Sequence, residues 1–216
     1  MVQTFPMPLE DFFENLPIQI FTPDLTEALE VSRNGGGEVL TADLGPRLWK
    51  NDIVIRSGYY GEIEQIKARL NMLRYAGRSL MVHGMPFLGP QYDPDGSILG
   101  ASTITLTDVQ SNNRVIELSG FPNDYILTVG DFIGFTYGSN PIRYAFHQCV
   151  ETVSEVAGAI TIEVCDFIRP GFALDSEVTL IRPEYKAIVL PGSTVVPPSE
   201  GQRTEGLKFS VMQTLR

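Results

Sequence analysis

Few residues in this sequence have the type and spacing that chemistry needs. His147, Cys149 and Glu151 alternate along a strand-like run, RYAFHQCVE, and alternate residues of a strand share a face. An imidazole, a thiolate and a carboxylate on one face would supply three of the four ligands of a tetrahedral zinc site. The fourth is missing: His83, the only other histidine, falls in a different part of the chain, and there is no Cys-x-x-C pair. A mixed packing face is the plainer reading. Asp93, Asp95 and Gly96 in YDPDG open like a calcium loop, but Pro94 interrupts them and Ile104 stands where a bidentate Glu is needed. This reads as a proline-aspartate turn. Gly35, Gly36 and Gly37 lack the Gly-Lys-Ser/Thr of a phosphate loop and lie between strands, which makes them a hairpin turn. No Gly-x-Ser-x-Gly elbow is present, and two histidines leave little room for a Ser-His-Asp or Cys-His arrangement. The carboxylate pairs Asp24 with Glu27 and Glu62 with Glu64 have spacings that caps and solvated faces explain. We therefore assign no catalytic, cofactor-binding or metal-binding residue and expect a non-enzymatic protein without cofactors.

The elements around these residues are mostly strands. Across 216 residues, 43% are hydrophobic and 19% charged, an ordinary globular balance with enough chain for a real core. The formal net charge of -10, with scattered basic residues, argues against a nucleic-acid surface. No apolar run spans a bilayer, and the N-terminus lacks a basic region followed by a hydrophobic one, so neither anchor nor export signal is expected.

One helix is expected over residues 59–76, with Tyr59, Ile63, Ile66, Leu70 and Leu73 in a single stripe. Ser57 is its expected N-cap and Gly77 its stop, with Arg74 and Arg78 near the negative end of its dipole. Its apolar face must lie on a sheet. ALEVS and EVLTAD flank RNGGG as a hairpin, LWKNDIVIR and RSLMVHG read as further strands, and Leu48, Ile53 and Ile55 are core candidates. The amphipathic patch around Leu9, Phe12, Phe13 and Leu16 reads as a helical turn, or an arm on a neighbouring subunit, or a segment lying on its own domain.

After the turn-rich MPFLGPQYDPDGSILG, short alternating strands rich in Ile, Val, Thr, Phe and Tyr suggest a small sandwich or barrel. The final LKFSVMQTLR alternates and is expected to return to the first sheet. The fold class is thus mainly β (α+β). One β domain with the helix is formed by 1–99 and 192–216, and an inserted β-sandwich or barrel domain by 100–191. Cys149 and Cys165 are read as buried free thiols, since nothing points to an oxidising compartment. Tyr137, Tyr144, Phe146 and Tyr185 offer a second functional reading, a carbohydrate-binding module presenting aromatic rings to sugars.

Four stretches, VGDFIGF, RYAFHQCVETV, AGAITIEVCDFIRP and EVTLIRPEYKAIV, together with the last strand, resemble the distal-tail and related baseplate proteins of long-tailed bacteriophages and of gene transfer agents. The likeness covers about the last ninety residues. The first half, with its hairpin, its Trp49 strand, one helix and a proline-rich exit, is similar to the ring-forming domain of that family. The resemblance implies a structural, ring-forming protein, usually hexameric, with the inserted domain hanging outside the ring. It implies partners in copies of itself, the tail tube and hub or baseplate proteins, and a place in the virion tail after assembly in the bacterial cytoplasm. Arg33, Trp49 and the helix are the residues it would assign to the ring domain, and the acidic balance suits a conduit through which DNA slides.

Overall fold

The computed structural model describes residues 3–84 and 88–216. The N-terminal part runs through β1 (Ile18–Leu25), β2 (Leu29–Arg33), β3 (Val39–Asp43), β4 (Trp49–Ile55), β5 (Gly58–Tyr59), α1 (Tyr60–Leu73) and β6 (Leu80–His83). The middle supplies β7 (Ile104–Val109), β8 (Val115–Ser119), β9 (Ile126–Leu127), β10 (Phe132–Tyr137), β11 (Arg143–Cys149), β12 (Val153–Ser154), β13 (Ala159–Cys165) and β14 (Glu177–Thr179). The chain closes with β15 (Glu184–Val189), β16 (Ser199–Glu200), β17 (Arg203–Thr204) and β18 (Lys208–Gln213).

Two bodies result. The first is a five-stranded antiparallel sheet in the order β1-β4-β18-β15-β6. The second is a closed barrel in the order β10-β11-β13-β8-β7-β14, sealed where β14 pairs back onto β10. Closure leaves that body no free edge, as the alternating pattern allowed. The described residues are mainly β with a single α-helix, as the sequence implies, and the second body is a barrel rather than a sandwich.

The last strand, β18, lies in the middle of the first sheet between β4 and β15. β15 also belongs to this sheet. The chain therefore returns from the barrel at Pro183, several residues before the boundary expected at 191. The exit segment was expected to begin at residue 85; residues 85–87 lie outside the described residues. The outgoing and returning segments are joined where Arg182 N donates to Leu88 O.

Ile63, Leu70 and Leu73 on α1 are buried in one core with Ile53, Ile55, Phe209 and Val211 of the sheet, and Ile66 packs against its rim. Each such side chain stabilises by about 1.5–3 kcal/mol. Tyr59 is 59% exposed and leaves the expected stripe. The helix also starts later than Ser57: Gly58 and Tyr59 pair with β17, and Tyr59 becomes the N-cap without a side-chain cap. At the other end Arg78 Nη1 donates to Met72 O at 3.4 Å, supplying cationic charge where the dipole is negative. Met7, Phe12, Phe13 and Leu16 are buried in the same core, and Met7 bonds to Ser79 and Met81 beside β6. The N-terminal patch thus lies on its own sheet.

Gly206 marks the tightest approach in this body. A Cβ there would sit 1.6 Å from the carbonyl oxygen of Ile55. Gly206→Ala should lower stability by about 2–4 kcal/mol, in the range of the large single-residue backbone effects. Urea unfolding of the variant beside the wild type checks this, and a midpoint within error of the wild type would show that the β4–β18 junction has room for a methyl group.

Candidate functional site

β11 carries the residues that looked most like chemistry, and its two faces meet different surroundings. Ala145 and Cys149 lie in the barrel core, whereas Phe146 lies in the core of the sheet and helix. His147 stands opposite Ile133, facing the barrel interior, and stacks on Phe135 with ring centroids 6.0 Å apart. Its Nδ1 is 3.4 Å from Cys165 O. Burial pushes the imidazole down to about 4, so it is neutral at ordinary pH. Burial, reinforced by the negative charges of Asp131 and Glu151, pushes the Cys149 thiol up to about 12. A thiol held in that form is neither a nucleophile nor a metal ligand. Glu151 lies past the strand end, exposed, and accepts a hydrogen bond from Glu163 N at 3.0 Å. His147 and Cys149 share a face as their spacing predicts, but Glu151 does not join them. Among the described residues no three His, Cys, Asp or Glu side chains are grouped to hold a metal ion.

Cys149 and Cys165 are both free. Cys165 stands opposite Gln148, so the two thiols point to opposite faces of adjacent strands. Cys149 is buried as expected; Cys165 is only half-buried. His83 is buried against Phe13, 5.1 Å between ring centroids, and burial lowers its basicity too.

The other candidates also have structural duties. Asp93 is buried and accepts from Ile98 N at 3.1 Å and Leu99 N at 2.8 Å, while Asp95 accepts from Ser97 N at 3.2 Å. These are turn caps, as the Pro-Asp reading requires. Asp131 does the same, taking Gln91 N and Thr128 N, and it splits the run DYILTVGDFIGFTYG into β9 and β10. The three glycines lie in the turn between β2 and β3, where Asn34 Oδ1 accepts from Gly36 N and Glu38 N at 3.0 Å each. Tyr137, Phe146 and Tyr185 are buried, which leaves Tyr144 alone of the four rings proposed for sugar contact.

What the molecule displays instead is the hairpin β2–β3. Register is regular from Leu29↔Asp43 to Arg33↔Val39. Every residue of the two strands is exposed except Leu29, which is half-buried. Val31, Val39 and Leu40 are 58, 55 and 57% exposed, and Leu44 at the base is 68% exposed. A two-stranded hairpin is marginal by itself in water, and this one leaves its apolar side chains hydrated. The sequence held a signal for this. Direct cross-strand partners share a face, so Val31 and Val39 lie on one side and Leu40 on the other. Apolar residues on both sides do not suit a hairpin lying on its own domain. Arg33 is on this arm, whereas Trp49 is buried where sheet and barrel meet.

On the sheet face turned away from α1, Asp24 and Asp52 lie beside Lys50, Lys186 and Lys208, so the acidic excess of the chain is not concentrated there, and Glu184 is half-buried in a cleft with Tyr144 of the barrel. Among the described residues no helix is long and apolar enough to cross a membrane. Compared with known proteins, the chain matches no protein-family model and no curated protein.

Because folding depresses the His147 imidazole from 6.5 to about 4, the unfolded chain binds the proton first as pH falls. Stability from this group is complete above about pH 6.5 and is lost as pH drops toward 4, a decline of about 3 kcal/mol. Urea midpoints at pH 7.5, 6 and 5 should fall accordingly, and His147→Gln should flatten the slope. A wild-type profile as flat as the variant's would mean that the ring is hydrated.

Proposed function

We propose that this chain is a structural subunit of a phage-like tail tip, of the distal-tail or baseplate type, which assembles with copies of itself into a ring. Tail-tube and hub proteins are its further partners, and the virion tail is its place of work. The observation that carries the reading is the bare hairpin β2–β3, whose Val31, Val39 and Leu40 have no cover within the chain. An arm of this kind is stabilised by docking on another subunit, and a contact made by an arm on a different surface builds rings or filaments.

Two further observations support it. The potentially reactive side chains His147, Cys149, Asp93 and Asp131 are buried in cores and turns, so the surface is what the molecule offers to others. The build of one helix on an antiparallel sheet with an inserted small β body accords with that of the ring-forming tail proteins that the sequence resembles. A copy number of six is the family's usual one.

Size-exclusion chromatography with light scattering should give a mass that rises with concentration from 23.9 kDa to a fixed multiple of it, six-fold for a hexamer. Replacing Val31, Val39 and Leu40 together with Ser should return the chain to single copies. At concentrations where the wild type is also single, its unfolding midpoint should match the wild type's, since exposed substitutions usually change stability by less than about 0.5 kcal/mol. A wild-type chain that stays single at every concentration would sink the proposal.

A further inference from the structure

Resting on the ring reading above, we infer that the β2–β3 arm of one copy seats in the groove between the N-terminal segment and α1 of the next copy. This groove has a volume of about 540 Å³. Phe12, Leu16 and Ile66 form its apolar floor, and Arg56, Arg69 and Glu62 stand around it. Arg69 Nη1 donates to Asp11 O at 2.6 Å, which holds one guanidinium at the rim. The Arg56 side chain is exposed and has no acceptor among the described residues. Two cations thus border an apolar floor, with the single carboxylate of Glu62 beside them.

The arm has the matching layout. In its register Glu30 lies opposite Ala42 and Ser32 opposite Leu40, which puts all four on one face. Glu38 follows Leu40 on that face at the turn, where Asn34 Nδ2 donates to its carboxylate at 2.9 Å. Leu40 and Ala42 are therefore flanked by Glu30 at one end and Glu38 at the other. An apolar centre between carboxylates meets an apolar floor bordered by two guanidiniums and one carboxylate, a net complementary charge of the kind that fixes register and excludes wrong partners.

Placement makes the contact one between copies. The arm continues the β1–β4 ladder outward, past Thr26 N to Leu48 O at 3.0 Å and Leu44 N to Ala28 O at 2.7 Å. The groove lies at the opposite end of the same ladder, where Arg56 N donates to Pro17 O at 2.8 Å. Those ends are about 23 Å apart at strand rise. The arm leads away from its own groove, so arm and groove form two unlike ends of one unit. Such a head-to-tail contact closes into a ring when the rotation between copies allows it.

The test uses the full chain and light scattering. Arg56→Glu with Arg69→Glu should weaken assembly at least ten-fold in concentration, and so should Glu30→Arg with Glu38→Arg. Combining all four substitutions in one chain should restore it. These positions are exposed, and circular dichroism and the urea midpoint check that each variant folds. Independently, Leu40→Cys with Ile66→Cys should give, on oxidation, a ladder of chain multiples on a non-reducing gel, and neither single variant should. Restoration together with the ladder supports the inference. If the Val31, Val39 and Leu40 replacement abolishes assembly while the arginine reversals leave it intact and no ladder forms, the arm docks elsewhere. The groove assignment is then overturned while the ring reading stands. If the reversals dissociate the assembly but the four-fold variant does not restore it, the groove is filled by a different segment and the inference also fails. A wild-type chain that is single throughout overturns both.

Discussion

The contact on which the rest of the structure depends is the aromatic joint between sheet and barrel. Trp49 of β4 meets Phe132 and Phe146 edge-on, with ring centroids 5.4 and 5.5 Å away, and donates its Nε1–H to Phe146 O at 3.1 Å. Phe132 and Phe146 stack on each other at 4.8 Å, and Tyr185 of β15 lies 4.8 Å from Phe146 on the far side. Four large rings in such edge and offset contacts add directional preference to the area they bury. Gly84, at the end of β6, is fitted to them: a Cβ there would come within 2.8 Å of the Phe146 ring. Because β11 gives one face to the barrel and the other to the sheet, both bodies share one wall and the barrel is not a loosely tethered insertion.

That shared wall also explains where reading the sequence stopped. Period-2 and period-3.6 patterns state that a face is buried, and so the helix, the β2–β3 hairpin and the returning β18 were legible. They do not state what a face is buried against. On β11 the sequence offers His147 and Cys149 as a mixed packing face and Tyr144 and Phe146 as rings for sugar contact. In the fold the strand divides two cores, and the imidazole and thiol become filler inside a barrel. The same limit applies to β15, whose EYKAIV pattern suits a barrel strand as well as a sheet strand. Only its pairing with β6 and β18 decides its body. Tyr59 shows the converse error: its spacing fits the helix stripe, but pairing with Arg203 takes its backbone into β5 before the helix begins.

The acidic composition has a partly local origin. Asp93, Asp95 and Asp131 hold backbone N–H groups at bends where no strand partner is available, and at the buried Asp93 and Asp131 leaving such donors unpaired would cost more than ordering a carboxylate there. Elsewhere acids pair with bases, as Asp166 does with Arg169 at 2.8 Å and Glu14 with Arg182 at 2.9 Å. The sheet face turned away from α1 carries both signs, so a net charge of -10 does not make that face acidic.

A body whose reactive groups are buried can still act through shape, and the difference between its rigid and bare parts bears on how. The joint around Trp49 fixes β4, and β4 is the strand from which the hairpin ladder extends, so the arm is aimed by a strand anchored in that joint. An uncovered edge of this kind normally invites indiscriminate strand pairing. Here Glu30, Arg33 and Asp43 lie on the strands and Glu38 at the turn, whose glycines include Gly37 at a φ of +84°. Charges interspersed among Val31, Val39 and Leu40 penalise any register that leaves them unpaired, while the apolar residues still favour burial. That combination works against general adhesion along the hairpin, because wrong registers strand a charge while the apolar side chains remain available for burial.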